Sequence, residues 1–331
     1  VNYLHNDKIQ HLSILNAASH PMGANSNSSP PAISADGRYV AFYAVADGQY
    51  DIFLLELATG EISNLTNDEG DDFLPAWSPD GLTLAFGDFV VQRDLDFVVR
   101  RGDVFIVMGG SGCGKSTLLR SMVGLKRPAA GTVRYHDPSG ADLSYWDAGD
   151  DEQDRIRRGL GVLFQSGALW SSMTLAENVS LPLGLYTDLA TDERRAVAAY
   201  KLALVGLAGF EDYYPSEISG GMKKRAGLAR AMALDPDILF FDEPSAGLDP
   251  ISARRLDDLI LELRDTLGTT FVVVTHELAS IFAIGNNSVY LDSASKTQLA
   301  TGDPKTLRRE APFEVRDFLA RGAAGQERDG S

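Results

Sequence analysis

The residues best suited to chemistry lie at positions 109–117, where Gly109, Gly110, Ser111, Gly112, Cys113, Gly114, Lys115, Ser116 and Thr117 follow the apolar run Val104-Phe105-Ile106-Val107-Met108. Glycines at this spacing let backbone N–H groups approach an anion, and the helix that follows adds its positive N-terminal end. The chemistry is polyphosphate binding, in which Lys115 reaches the β- and γ-phosphates and the Ser116 hydroxyl sits on Mg²⁺. The strand before the loop and the helix-forming Ser116-Thr117-Leu118-Leu119-Arg120 after it set this stretch apart from a chance glycine turn. Cys113 is the single cysteine, which excludes an internal disulfide framework and gives it the part of a spacer rather than a redox sensor.

Such a loop needs a sheet that delivers other polar groups to the same edge, and three later stretches have that form. Ile238-Leu239-Phe240-Phe241-Asp242-Glu243 is a short apolar run ending in two carboxylates, as expected for a buried parallel strand whose C-terminal end faces a ligand. Phe271-Val272-Val273-Val274-Thr275-His276 repeats the pattern, and Leu160-Gly161-Val162-Leu163-Phe164 ends in the polar Gln165. Ser219 is placed to cap a helix that opens at Gly220-Gly221 and runs through Leu234. Between them a helix is expected from Thr174 to Leu183, in a region that reads as helical through Val205.

The order of these motifs resembles ATP-binding cassette (ABC) ATPases over residues 82–322. The resemblance implies ATP and Mg²⁺ as cofactors, with Asp242 holding Mg²⁺ through water and Glu243 polarising the attacking water. It also implies that Gln165 touches Mg²⁺ and that water, and that His276 contacts the γ-phosphate. Ser219, Gly220 and Gly221 would bind the γ-phosphate held by a second protomer, with Asp249 in Ser245-Ala246-Gly247-Leu248-Asp249 communicating across that homodimer. Met222 departs from the family's usual glutamine. Phe86 matches the aromatic residue that stacks on adenine, and reads equally well as an ordinary strand-core aromatic. Leu169, Trp170 and Met173 suit either a docking groove or the core.

Within the superfamily, VLFQSGALWSSMTLAENVSLPL, YPSEISGGMKKRAGLARAMALDPDILFFDEPSAGLDP and THELASIFAIG look most like ATPases of the Mla and mammalian-cell-entry (MCE) lipid-trafficking systems. That likeness implies a multi-spanning permease and MCE-domain lipid-binding proteins as partners, and phospholipid or another hydrophobic lipid as cargo.

The front of the chain differs in kind. Residues 1–30 show no sustained period and end in an Asn/Ser/Pro-rich stretch expected to be poorly ordered. Pro31-Ala32-Ile33-Ser34-Ala35-Asp36-Gly37 is echoed 44 residues later by Pro75-Ala76-Trp77-Ser78-Pro79-Asp80-Gly81, a blade-sized period. Residues 31–81 resemble repeats of propellers related to the periplasmic protein TolB, and about one and a half repeats fall short of the 4–8 blades that close a propeller. Together with the Val1 start, this gives the expectation of a truncated or fused reading frame, with an appended interaction hairpin as the functional alternative. Leu82-Thr83-Leu84-Ala85-Phe86 fits either the end of the second repeat or the first strand of the nucleotide-binding domain.

The net charge is −16, and residues 1–86 hold two basic and eleven acidic side chains. That balance disfavours nucleic acid and anionic lipid as direct partners, so membrane association is expected through a protein partner. With no apolar run approaching ~18 residues and no leader of signal-peptide type, the sequence reads as cytoplasmic and peripheral on the inner face of the membrane.

The expected fold is a P-loop α/β domain over 82–310, with a parallel core sheet, an antiparallel β-subdomain and a helical subdomain at about 166–235. An all-β partial propeller segment precedes it, and a short helix and disordered tail at 311–331 follow. Two other functions fit less well: a non-hydrolysing scaffold that uses the front repeats, and an ABC ATPase of DNA repair or translation. Intact Glu243 and His276 oppose the first. The acidic charge and the single cassette oppose the second.

Overall fold

The computed structural model describes residues 32–33, 39–46, 49–56, 60, 62–64, 82–86, 89–136 and 142–321. The chain forms two compact units, residues 1–79 and 80–331. In the first, β1 (Ala32–Ile33), β2 (Tyr39–Ala46), β3 (Gln49–Glu56) and β4 (Ile62–Asn64) make an antiparallel meander in that order. In the register of β2 and β3, Ala46 stands opposite Gln49. The second copy of the front repeat, residues 75–81, lies outside the described residues, as do residues 1–31 and the tail beyond 321.

The second unit opens with β5 (Leu82–Phe86), which pairs antiparallel with β6 (Phe89–Leu95), Phe86 opposite Phe89. The ambiguous Leu82–Phe86 stretch is thus part of this unit. There follow β7 (Val104–Gly109), α1 (Lys115–Met122), the hairpin β8 (Arg134–His136) and β9 (Asp142–Ser144), α2 (Asp150–Arg158) and β10 (Leu160–Leu163). Helices α3 (Leu175–Tyr186), α4 (Thr191–Leu204) and α5 (Gly220–Ala231) form the helical region. The chain then alternates through β11 (Ile238–Asp242), α6 (Pro250–Leu267), β12 (Thr270–Val274), α7 (Leu278–Ile284), β13 (Asn287–Leu291), β14 (Gln298–Thr301), α8 (Pro304–Glu310) and α9 (Phe313–Ala320).

The core sheet has the order β10-β11-β12-β7-β13-β14. Five strands are parallel, but β14 pairs antiparallel with β13, so the expected all-parallel core is a mixed sheet with an antiparallel edge. Among the described residues of the second unit, the antiparallel strands outside the core sheet form two hairpins, β5–β6 and β8–β9. Helix α3 starts at Leu175, one residue after the expected start, because the Thr174 hydroxyl and the Glu177 carboxylate cap each other's backbone N–H groups. Helix α5 ends at Ala231, short of the expected Leu234.

Both faces of the sheet are covered, and strand periodicity sorts the side chains. Along β7, Val104, Ile106 and Met108 join a cluster with Phe241, Phe271 and the helical region, whereas Phe105 and Val107 pack with Leu118, Leu119, Val272 and Val274. Strands buried on both faces leave polar residues only at their ends, and those of β10, β11, β12 and β7 align along one edge.

Helices α6 and α7 are joined inside this packing by the Ser280 hydroxyl, which donates to Asp257 Oδ2 at 2.8 Å. Burial pushes the Asp257 carboxyl up to about 6, Asp258 and Glu277 add to the shift, and Ser280 and Arg254 oppose it. A raised carboxylate pKa favours the folded state below the ordinary carboxylate range, and that contribution is lost as pH rises through about 6. Asp257→Asn keeps an acceptor for Ser280 without the charge. It should raise the melting temperature at pH 7.5, equivalent to roughly 1–3 kcal/mol, and lose the advantage near pH 4. A variant less stable than wild type at pH 7.5 would contradict this account.

Candidate functional site

The loop after β7 is shaped by close approach. Gly109 has φ +147°, and a Cβ there would stand 2.3 Å from the Leu291 carbonyl oxygen. Gly114 has φ +100° and would place a Cβ 2.7 Å from Val91 Cγ1. Gly114 is the N-cap of α1, and no side chain caps that end, so the first-turn N–H groups remain available to an anion. Lys115 Nζ folds over the loop, donating to the Gly109 and Gly110 carbonyls at 3.0 Å each. Cys113 is buried, and burial pushes its thiol pKa up, as a spacer requires. Ser111 and Gly112 are exposed at the loop's crest, and Thr117 is half-buried in α1.

Three strand ends meet beside this loop. The Ser116 hydroxyl donates to Asp242 Oδ1 at 2.9 Å, joining α1 to the end of β11. One residue on, Glu243 occupies the left-handed region at φ +49°, with its N–H donating to the Val274 carbonyl at 2.9 Å. That backbone turns the carboxylate back toward β12, where Oε1 lies 2.8 Å from His276 Nδ1. Among the described residues, Glu243 Oε2 is buried and has no hydrogen-bond partner. Lys224 Nζ donates to the Glu243 carbonyl at 3.3 Å, and burial pulls the Lys224 pKa down against the attraction of Glu243 and Asp242.

The other sequence-derived residues lie apart from these hydrogen bonds. Gln165 is exposed in the turn after β10, where Arg230 of α5 donates to the Ala168 and Gly167 carbonyls at 2.7 and 3.1 Å. Ser219 caps α5, accepting from the Met222 N–H at 3.3 Å. Asp249 caps α6, accepting from Ile251 and Ser252, and bonds from Ser252 hold its carboxyl below the usual range. Gly221 approaches Ser252, so these two exposed caps stand next to each other. The Phe86 backbone is in β5, and its side chain lies outside the described residues.

A family model described as ABC transporter matches residues 92–246. The chain is 37% identical over 233 residues to the intermembrane phospholipid transport system ATP-binding protein MlaF of Escherichia coli K12, covering 70% of this chain and 84% of that protein. The chain belongs to the family of ABC transporter ATP-binding proteins. This ABC cassette is also 41% identical over 239 residues to the probable ribonucleotide transport ATP-binding protein mkl of Mycobacterium tuberculosis H37Rv. It spans 65% of the length of that relative. Among solved structures, the dimeric ABC transporter cassette MJ0796 superposes with a TM-score of 0.60 at 29% identity, over 68% of this chain and 97% of that one.

The cassette also contains supports that motif reading missed. Lys224 sits in the run Lys223-Lys224-Arg225, to which sequence analysis assigns no separate role. Asn178 is fully buried in α3 and clamps the loop that leaves the Gln165 turn. Its Oδ1 accepts from the Trp170 N–H at 2.8 Å, and Nδ2 donates to the Trp170, Met173 and Thr174 carbonyls at 2.9–3.1 Å. The clamp leaves Trp170 58% exposed, whereas Leu169 packs against the core and Met173 is half-buried. Asn178→Ala strips partners from these buried groups and should destabilise the fold by about 2–3 kcal/mol, read as a fall in melting temperature. An unchanged melting temperature would show that water replaces the side chain there.

Proposed function

We propose that the chain is the ATP-binding and ATP-hydrolysing subunit of an ABC transporter and works as a homodimer. The observation that carries this reading is that Ser116 bonds to Asp242 while the next residue, Glu243, meets His276 at the same end of the sheet, with Ser219 and Asp249 exposed. A site with its phosphate-holding half assembled and its capping half turned to solvent is completed by a second copy.

The donors present suit Mg²⁺: Ser116 Oγ and Asp242 Oδ1 are hard oxygens 2.9 Å apart, and this ion typically takes one or two protein oxygens plus phosphate and water. When bound, it would supply charge neutralisation between the β- and γ-phosphates. The residues of this chain do the rest. Lys115 exchanges the loop carbonyls for phosphate oxygens, and the N–H groups from Gly110 to Thr117 surround the β-phosphate. Glu243 Oε2 accepts from the attacking water, with its other oxygen steadied by His276, which also reaches the γ-phosphate. Gln165 contacts the metal and that water, and Phe86 stacks on adenine. Ser219, Gly220 and Gly221 of the second copy close over the γ-phosphate, with Asp249 at the seam.

The cargo proposed is phospholipid or a similar hydrophobic lipid, carried through a separate multi-spanning permease with MCE-type lipid-binding partners. Support comes from the lipid-trafficking motifs and from the E. coli relative named for intermembrane phospholipid transport, 84% of whose length is matched. Among the described residues no helix is long and apolar enough to cross a membrane, so the force must leave through a docking surface. We place that surface at Trp170 and the cassette on the cytoplasmic face of the membrane.

Glu243→Gln removes the base and keeps its size. Hydrolysis should fall by about 10²–10⁴-fold, and gel filtration with ATP should show a trapped dimer. A variant that binds ATP yet stays monomeric would contradict the composite site. Trp170→Ala should keep the melting temperature and nucleotide affinity while association with the permease weakens by about tenfold or more. Unaltered association, or loss of folding, would withdraw this docking surface.

A further inference from the structure

Gln92 lies within β6 and is fully buried. Its Nε2 donates to the Cys113 carbonyl at 2.7 Å and to the Asp292 carbonyl at 2.8 Å. Both hydrogens of the amide nitrogen are therefore engaged. A flipped amide would press its oxygen against two carbonyl oxygens, which fixes the orientation. Among the described residues, Gln92 Oε1 is buried with no partner.

The two carbonyls border the site from opposite sides. Asp292 follows Leu291, whose carbonyl crowds Gly109 at the entrance of the loop. Cys113 belongs to the loop, and its carbonyl shares one trans peptide unit with the Gly114 N–H, which points the opposite way. Drawing the carbonyl down onto β6 directs the Gly114 N–H away from β6. Gly114 also rests on this residue, since a Cβ there would meet Gln92 Cγ at 3.2 Å. A methionine would fill the same space without the cost of an orphaned amide oxygen, so packing alone does not account for a glutamine.

We propose that Gln92 is a positioning residue of the phosphate loop, holding the Cys113–Gly114 peptide in the orientation that presents the Gly114 N–H to a nucleotide's phosphates. The assignment rests on the nucleotide-binding reading above and adds a residue to it.

The test is equilibrium titration of the full chain with fluorescent ADP and ATP in the presence of Mg²⁺, alongside thermal melting without nucleotide. Gln92→Met keeps the length and removes the donor. It should raise the Kd for both nucleotides by about tenfold or more, with KM for ATP rising by the same factor. A purely structural residue would lower the melting temperature and leave Kd alone. A folded Gln92→Met variant that binds within about twofold of wild type overturns the proposal. If that variant fails to fold, Gln92→Glu preserves the shape but its carboxylate cannot donate to two carbonyls. The same loss is expected of it, and wild-type binding by it overturns the proposal equally. Wild type that binds neither nucleotide would overturn the nucleotide reading, and this assignment with it. Binding by wild type that is lost in Lys115→Ala and kept in the Gln92 variants would overturn the role of Gln92 alone.

Discussion

The arrangement depends on the parallel pairing of β11 with β12 and of β12 with β7. Phe241 stands beside Val273, and Val273 beside Ile106, so three apolar strands finish together and the residues just past their ends become neighbours. The Ser116–Asp242 hydrogen bond and the Glu243–His276 contact are consequences of that register. A parallel sheet also needs both faces covered, which obliges the strands to be apolar and confines chemistry to their ends.

The site then stores a small amount of unfavourable geometry at its centre. Glu243 is held at a positive φ and, among the described residues, keeps a buried oxygen without a partner. Such a conformation persists only where the surroundings over-determine it. Here the Val274 carbonyl fixes the Glu243 N–H, Lys224 fixes its carbonyl and His276 fixes one carboxylate oxygen. Lys224 belongs to the helix that Ser219 caps, so its side chain links that helix to the Glu243 backbone.

The strands, the phosphate loop and the Asp242–Glu243 pair were legible in the sequence because each is a contiguous signal: an apolar run, then a polar residue or glycine at fixed spacing. The supports were not, because their partners are distant in the chain. Gln92 answers to Asp292, 200 residues away, and nothing local separates it from a surface glutamine on a strand. Lys224 has no motif position of its own, and only the fold brings its ammonium to the Glu243 carbonyl. The antiparallel edge strand Gln298–Thr301 is short and carries no signature, so the sheet was expected to be wholly parallel. Asn178 stands one residue beyond an evident capping box, and its four hydrogen bonds are to a loop whose path the sequence did not define.

The central claim is that one copy supplies the phosphate loop and base and a second supplies the Ser219 end. It is tested most directly by measuring ATP hydrolysis in a mixture of Lys115→Ala and Ser219→Arg proteins. A mixed pair contains one site with Lys115 and Ser219 both intact. The account predicts that each variant alone is inactive and that the mixture hydrolyses ATP. Ser219→Arg hydrolysing at the wild-type rate by itself would show that the site is complete within one copy, and would contradict the account.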